Sequence, residues 1–167
     1  NYDFINPHIL VIGGSKSDCE YIKKIYDENS VCNECPVFFT DVYTASLVKY
    51  TLNSFLATKV LFMNEIYKIF HTTDTLSNWD EFTNILKADP RIGSSHLKVP
   101  GPDGKFGFGG ACFPKDIAAI IAYAEEANEH LELMNAVKGI NNNIRSNYTD
   151  LDKREKDQNV NFDEWKL

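Results

Sequence analysis

The stretch from Tyr43 to His71 contains neither glycine nor proline, and it constrains the fold more than any other feature of the chain. Side chains that can face a core recur along it at helical spacing, namely Val48, Leu52, Phe55 or Leu56, Lys59, Phe62, Ile66, Ile69 and Phe70. The pattern predicts one helix of about 28 residues, roughly 42 Å long. Because the core of a small domain does not need a helix of this length, we expect it to form a spine or a subunit contact.

The N-terminal part predicts a strand, a helix and a second strand. Residues 8–14 form a short apolar run that ends in two glycines, which is typical of a buried strand. Ser15 is a favourable cap for the helix that follows, with Ile22 and Ile25 expected to face inward. Residues 36–40 supply the second strand. The length and order of these elements indicate a small βαβ piece.

Helices dominate the rest of the predicted fold. A helix is expected at about 78–87, and Pro114 fits the first position of another, which continues with an interruption near Glu129 or Gly139 to about Tyr148. The fold class is therefore mainly α, with a small N-terminal βαβ piece and a long central helix.

The polar tail, 150–167, is expected to be solvated and largely mobile, with Phe162 and Trp165 as its candidates for docking. The domains predicted on this basis are 1–42, 43–149 and 150–167.

Charge and composition exclude several classes of protein. The 167 residues carry 24 acidic and 17 basic side chains, a formal net charge of −7, which argues against a nucleic-acid binder. No apolar run is long enough to span a membrane, and the first residues lack the pattern of a signal peptide. Four cysteines are too few for a disulfide scaffold of this size, so we expect reduced thiols in the cytoplasm.

Glycine and proline are concentrated in one segment. Six of the nine glycines lie between 93 and 110, and four of the six prolines lie between 90 and 114. Cys112 follows these glycines, just before the predicted helix start, where the helix dipole and the charge of Lys115 favour a thiolate. Asp116 lies one turn later and could orient a water molecule or accept a proton. On these residues alone, a nucleophilic cysteine and an inert one are equally compatible with the pattern.

Lys49 and Asn53 form a second candidate pair. They are four residues apart and therefore share one face of the long helix. Such a pair is more often part of a solvated face than of a site.

Four segments together resemble one enzyme family. Gly107-Phe-Gly-Gly-Ala-Cys-Phe-Pro-Lys-Asp116 closely resembles the catalytic-cysteine motif of the UDP-glucose/GDP-mannose 6-dehydrogenase family. Residues 45–57, with Lys49 and Asn53, are similar to its central-helix motif; Asn64-Glu65 follows at the family's spacing, and Asp89-Pro-Arg-Ile-Gly93 resembles its substrate-binding segment. The resemblance covers about residues 4–148 in a consistent order and is closest to the UDP-glucose branch.

The resemblance implies an activity, the NAD-dependent four-electron oxidation of a nucleotide sugar such as UDP-glucose to its uronic acid. Cys112 would be the nucleophile that forms a thiohemiacetal and then a thioester. Lys49 and Asn53 would stabilise the oxyanion and position water, and Asp116 would assist hydrolysis. The implied substrate-binding residues are Arg91, Lys98, Phe106, Phe108, Gly109 and Lys115. The helix 43–71 would form a homodimer, with Arg91 reaching the substrate across it.

The departures from the family predict an incomplete enzyme. The sequence contains no Gly-x-Gly-x-x-Gly turn, so we expect no cofactor-binding residues in this chain. Residues 1–42 would be the end of a Rossmann-type cofactor domain. The chain is expected to need NAD-binding and nucleotide-binding domains, with a separate NAD-binding chain as one source. The alternative is a non-catalytic remnant that acts as a dimerising or interaction module.

Two weaker alternatives remain. Cys32 and Cys35 have a spacing seen in zinc sites, but no second pair of ligands accompanies them. Cys112 with His96 could form the nucleophile and base of a cysteine hydrolase, provided that the two lie within hydrogen-bond reach.

Overall fold

The computed structural model describes residues 5–164, and the chain divides into two compact units, Asn1–Thr51 and Leu52–Leu167. The first unit contains strand β1 (Leu10–Gly13), helix α1 (Lys16–Asn29) and strand β2 (Val37–Thr40). The strands are parallel and in register from Leu10 opposite Val37 to Gly13 opposite Thr40. The predicted βαβ piece is therefore confirmed.

Helix α1 begins where the sequence predicts but buries a different residue. Ser15 is its N-cap and accepts a hydrogen bond from the Asp18 N–H at 3.3 Å. Ile22 and Ile25, expected to face inward, are 49% and 40% exposed, whereas Cys19 is buried and lies 3.4 Å from the Ile12 carbonyl oxygen. The prediction for the two isoleucines is wrong because two strands of four residues cover only one narrow side of the helix.

The remaining elements are helical. Helix α2 spans Val42–Thr72, and its 31 residues confirm the long helix that the sequence predicts. It is followed by α3 (Trp79–Lys87), α4 (Cys112–Glu126), α5 (Glu132–Arg145) and α6 (Lys153–Asp157). The fold class is mainly α, as predicted. Among residues 5–164, none of the helices is both long and apolar enough to cross a membrane.

Two predicted boundaries are corrected. Helix α4 begins at Cys112, so Pro114 is its third residue rather than its first. A proline is tolerated there because the first-turn N–H groups have no partner within the helix. The interruption falls between α4 and α5, near Glu129, and Gly139 lies inside α5, which ends at Arg145 rather than near Tyr148.

The core of the second unit surrounds the glycine-rich segment. One buried cluster joins α2, α4 and α5 around Phe108 and consists of Ala57, Leu61, Phe108, Ile117, Ile121 and Val137. A second cluster of Met63, Leu97 and Val99 packs against Tyr67, Trp79, Leu86 and Phe106. The segment between α3 and α4 is thus anchored in the core at both of its ends.

The polar tail agrees with its prediction at Phe162, which is buried, and differs from it at Glu155. Asp152 and Glu155 form a capping box at the start of α6, with the Glu155 N–H donating to Asp152 Oδ1 at 2.7 Å. Glu155 is 1% exposed and Phe162 is 5% exposed. The prediction of a solvated tail is therefore wrong at Glu155, whose carboxylate has buried polar partners. Trp165 lies outside the described residues.

Candidate active site

Two buried asparagines hold the start of the glycine-rich segment. Asn64 on α2 and Asn141 on α5 are 2% and 1% exposed. Asn64 Oδ1 accepts from the Gly107 N–H at 2.8 Å. Asn141 Oδ1 accepts from the Phe108 N–H at 2.7 Å, and its Nδ2 donates to the Phe108 carbonyl at 3.0 Å. Because a buried backbone group without a partner is destabilising, these side-chain amides determine where the segment runs.

A buried ion pair holds the next two residues. Arg145 Nη2 donates to Glu155 Oε1 at 2.9 Å, and the two side chains are 2% and 1% exposed. The same oxygen accepts from the Gly110 N–H at 2.9 Å. A Cβ on Gly109 would lie 1.9 Å from Arg145 Nη2 and 2.3 Å from Glu155 Oε1, so only glycine lets the backbone pass this close. The Glu155 carboxylate therefore joins α5 to the turn that precedes Cys112.

The guanidinium of Arg145 has further partners. Its Nη1 donates to Asp103 Oδ2 at 2.8 Å. Partial burial raises the pKa of Asp103, but hydrogen bonds from Arg145 and the Lys105 N–H outweigh it and hold that pKa below its usual range. The guanidinium also lies 5.8 Å from the ring centre of Tyr148 and 5.5 Å from that of Phe162. Two carboxylates and two aromatic faces thus compensate the burial of this charge.

Cys112 lies at the positive end of a helix. It is the first of the 15 residues of α4, and its thiol side chain is exposed. The N-cap residue, Ala111, makes no side-chain hydrogen bond to the first turn. The position therefore combines an accessible sulfur with a helix terminus that favours negative charge.

Asp116 and Asn53 meet one turn from Cys112. Asp116 is 0% exposed and lies on the same face of α4 as Cys112, four residues later. Its Oδ2 accepts from Asn53 Nδ2 at 2.5 Å, and its Oδ1 pairs with the Lys115 ammonium. An amide nitrogen carries two hydrogens, so Asn53 has one N–H on Asp116 and a second one beyond it.

Two separate cavities, of about 310 and 360 Å³, both have Phe108 in their walls. The one of 360 Å³ is bounded by Lys98, Phe108 and Gly109, three of the predicted substrate-binding residues, and also by Gly110 and Phe113, which flank Cys112 in the chain. The structure therefore brings these three residues to one concave surface, which is also lined by residues close to Cys112 in the sequence. The cavity of 310 Å³ is bounded by Lys115, among others.

Two predicted substrate-binding residues lie elsewhere in the second unit. Arg91 is exposed and forms a forked pair with Asp89, with Nη2 2.6 Å from Oδ2 and Nε 3.0 Å from Oδ1. The hydrogen bonds from Arg91 lower the pKa of Asp89. The ring of Phe106 packs 5.6 Å from that of Tyr67 in the second core cluster and does not line the 360 Å³ pocket.

Lys49 belongs to the first unit. It lies on α2, is exposed, and holds its Nζ 5.3 Å from the ring centre of Tyr50. Cys32 and Cys35 are half-buried thiols of the same unit and form no disulfide. Among residues 5–164, no three His, Cys, Asp or Glu side chains are arranged to hold a metal ion.

Comparison with known proteins identifies the family. The model of the UDP-glucose/GDP-mannose dehydrogenase family, central domain, matches residues 43–143. The chain belongs to this family. The resemblance inferred from the cysteine and central-helix motifs is confirmed.

The relatives within the UDP-glucose/GDP-mannose dehydrogenase family are much longer than this chain. The UDP-glucose 6-dehydrogenase of Rickettsia felis is 35% identical over 149 residues, which cover 89% of this chain and 32% of the relative. UDP-glucose 6-dehydrogenase YwqF of Bacillus subtilis is 35% identical over 150 residues, with the same two shares. The solved UDP-glucose dehydrogenase of the archaeon Pyrobaculum islandicum matches with a TM-score of 0.67 and 31% identity, over 84% of this chain and 30% of that one. The chain spans about a third of the length of these relatives.

The UDP-glucose/GDP-mannose dehydrogenase family implies NAD, whose pyrophosphate binds at a helix N-terminus that follows a strand. In the first unit, the strand β1 leads into α1 in this way. However, Ser15 Oγ donates to Asp18 Oδ2 at 2.6 Å, which places a carboxylate where the anion would lie. These residues therefore do not fit a dinucleotide pyrophosphate.

The residues that support the site were largely missed from the sequence. The family resemblance includes Asn64, whereas no motif marks Asn141 or Arg145. The prediction of a solvated tail includes Glu155 and is wrong there. One signal could have found it: the spacing Asp152-x-x-Glu155 is that of a capping box, which indicates an ordered helix start.

Proposed function

We propose that this chain is the central domain of a nucleotide-sugar 6-dehydrogenase, in which Cys112 is the nucleophile for the four-electron oxidation of UDP-glucose or a related nucleotide sugar to the uronic acid. One observation carries the proposal: an exposed thiol at the start of α4 lies one turn from the Asn53–Asp116 pair and next in sequence to the wall of the glycine-lined pocket.

The proposed roles follow from what each group can do. The Cys112 sulfur attacks the C6 aldehyde and forms a thiohemiacetal, and the thioester formed on further oxidation is hydrolysed. The free N–H of Asn53 and the ammonium of Lys49 stabilise negative charge on the oxygen. The buried Asp116 orients the hydrolytic water, since its carboxylate is fixed by Asn53 and Lys115. NAD, the oxidant implied by the family, would be bound by residues outside this sequence.

The pocket supports a nucleotide sugar as ligand. Its walls combine the backbone of four glycines with the side chains of Lys98 and Phe108. Glycine backbone permits the close approach of a phosphate, and a lysine supplies its counter-charge. The four cysteines form no disulfide, which supports the reducing cytoplasm as the proposed compartment of this activity.

Protection of Cys112 from alkylation tests the proposal without requiring turnover. Iodoacetamide labelling of the full chain is followed by peptide mass spectrometry, with and without UDP-glucose. We expect UDP-glucose to slow the labelling of Cys112 and to leave Cys32 and Cys35, half-buried thiols of the first unit, unchanged. The variant Cys112→Ser confirms the assignment of the peptide, and glucose alone is the control ligand. Equal labelling of Cys112 at saturating UDP-glucose would refute an active-site cysteine.

We also propose that the chain forms a homodimer through α2. Phe55, Phe62 and Ile69 are 63%, 57% and 64% exposed, and their spacing of seven residues places them along one side of the helix. Phe55 and Phe62 also line an apolar groove of about 460 Å³. Exposed apolar stripes of this kind mark protein contacts. The same observation supports the alternative function, a dimerising module without catalysis.

Sedimentation velocity distinguishes these possibilities when it is combined with the labelling experiment. We expect a dimer at micromolar concentration, a monomer for Phe62→Glu, and an unchanged dimer for Tyr123→Glu, which alters an equally exposed aromatic residue on α4. A dimer whose Cys112 is not protected by UDP-glucose would favour the non-catalytic module. A wild-type monomer would refute the contact through α2.

A further inference from the structure

The C-terminal segment forms part of the pocket that the family motifs line. Asp152 and Arg154, at the start of α6, bound the same 360 Å³ cavity as Lys98, Phe108 and Gly109. Arg154 lies close to the glycine backbone, because a Cβ on Gly110 would be 3.9 Å from its Nη2. Neither Asp152 nor Arg154 lies within residues 43–143, the part of the chain that the family model matches.

The segment is held at the pocket by the chain's own buried groups. Glu155, next to Arg154, accepts from Arg145 and from the Gly110 N–H. The Asp152 N–H donates to Glu155 Oε2 at 2.8 Å, which closes the capping box of α6. The backbone of Arg154 is thereby fixed between two anchored neighbours.

The charged side chains around the pocket differ in the partners that they have. Asp103 is paired with Arg145 at 2.8 Å, whereas Asp152 accepts from the Glu155 N–H at 2.7 Å and keeps its negative charge. Within residues 5–164, no ion pair or side-chain hydrogen bond involves Lys98 or Arg154, and both side chains are exposed. Two cations without an ion-pair partner among the described residues therefore border the cavity, together with the carboxylate of Asp152.

Arginine beside glycine backbone is suited to one class of ligand. The guanidinium donates two parallel hydrogen bonds to a phosphate, and lysine adds a point charge. A neutral sugar or base would gain little from this pair of charges.

We infer that Arg154 binds the diphosphate of the nucleotide sugar, together with Lys98, so that the C-terminal segment completes the anion subsite beside the glycine-rich turn. This inference rests on the proposed function and specifies one of its ligand contacts.

Calorimetric titration of the full chain with UDP, UDP-glucose and uridine tests the inference. We expect Arg154→Ala to weaken the binding of UDP and UDP-glucose by roughly tenfold or more, because a charge-assisted hydrogen bond is lost. Any binding of uridine should not change, since it carries no phosphate. Lys153→Ala is the matched control, because it removes a positive charge from the adjacent position of α6 without altering the pocket wall, and its effect should stay within about twofold by screening.

The outcomes separate the inference from the function on which it rests. If Arg154→Ala and Lys153→Ala bind UDP equally well while the wild type binds UDP-glucose, the inference is overturned and the proposed function stands. If the wild type binds neither UDP nor UDP-glucose, both are overturned. If circular dichroism shows that the alanine variant is misfolded, Arg154→Gln repeats the test with a side chain that stays long and polar. The same loss of affinity for UDP and UDP-glucose is expected.

Discussion

Replacing Glu155 by alanine removes the carboxylate that connects α5, α6 and the glycine-rich turn. In the wild type, Oε1 accepts from both Arg145 and the Gly110 N–H at 2.9 Å, and Oε2 accepts from the Asp152 N–H at 2.8 Å. All three hydrogen bonds are lost at once in the variant. The side chain of Arg145, which is 2% exposed in the wild type, then keeps only Asp103 as an anionic partner.

The size of the effect follows from this geometry. Removing one partner of a buried ion pair destabilises a protein by about 3 to 5 kcal/mol, because the other charge stays buried. Asp103 still compensates Arg145, although its side chain is 39% exposed, so we expect the lower end of this range, about 3 kcal/mol. At about 2 to 4 °C per kcal/mol for a chain of this size, the melting temperature should fall by roughly 6 to 12 °C.

Urea denaturation followed by circular dichroism gives the free energy of unfolding, and hydrogen exchange of the Gly110 amide reports on the turn itself. Because the chain divides into two units, the loss should fall on the transition that exposes the second unit. Glu155→Gln keeps an oxygen that can accept from Gly110 but removes the charge, so its loss should be smaller. Asp157→Ala, an exposed position on the same helix, should change stability by less than about 0.5 kcal/mol.

A loss for Glu155→Ala no larger than that for Asp157→Ala would refute the reasoning. Unchanged exchange of the Gly110 amide would do the same, because it would show that the carboxylate does not hold the turn.

Three further substitutions test separate parts of the second unit. Gly109→Ala places a Cβ 1.9 Å from Arg145 Nη2, and we expect a loss of about 1 to 3 kcal/mol by urea denaturation, since neither buried partner can move away freely. Asp103→Asn tests the lowered pKa of that carboxyl: the stability it provides should be present at neutral pH and disappear as the pH falls below about 4, so wild type and variant should converge in acid. Lys59→Met removes the ammonium that donates to the Ile92 carbonyl at 2.8 Å, so the backbone amides that follow Arg91 in the chain should exchange faster. In Lys59→Arg, which keeps a donor, the same amides should exchange more slowly than in Lys59→Met. The first expectation would be contradicted if Gly109→Ala were as stable as the wild type. The second would be contradicted if the stability of Asp103→Asn stayed parallel to that of the wild type at all pH values. Unchanged amide exchange in Lys59→Met would contradict the third.

The long helix and the short N-terminal piece could be predicted because their signals are local. A stretch without glycine or proline and with helical apolar spacing indicates a helix wherever it lies in a fold, and α2 matches the prediction to within one residue at each end. The start of α4 was less predictable, because proline is compatible with the first and the third helical positions alike. Ile22 and Ile25 show the limit of the pattern, since their burial depends on what covers the helix.

The candidate site divides in the same way. The sequence brought attention to Cys112, Asp116 and the glycines because they form a compact motif. Nothing local marks Arg145 and Glu155 as a buried pair, because they lie on different helices and the partner of each is not visible in its own segment. Their burial arises only when the segment after α5 folds back across the glycine-rich turn.

The sequence by itself determined the long helix, the N-terminal βαβ piece with its Ser15 cap and the residue types available beside Cys112, since these depend on spacing and on the backbone preferences of single residues. Only the tertiary structure decided which polar side chains are buried and which cations share a pocket. Lys98 and Arg154 are far apart in the chain, and they bound one cavity because Asn64, Asn141 and Glu155 bind the same turn from three different elements. Hydrogen bonds between distant segments carry no periodic signal, so only the folded chain reveals them.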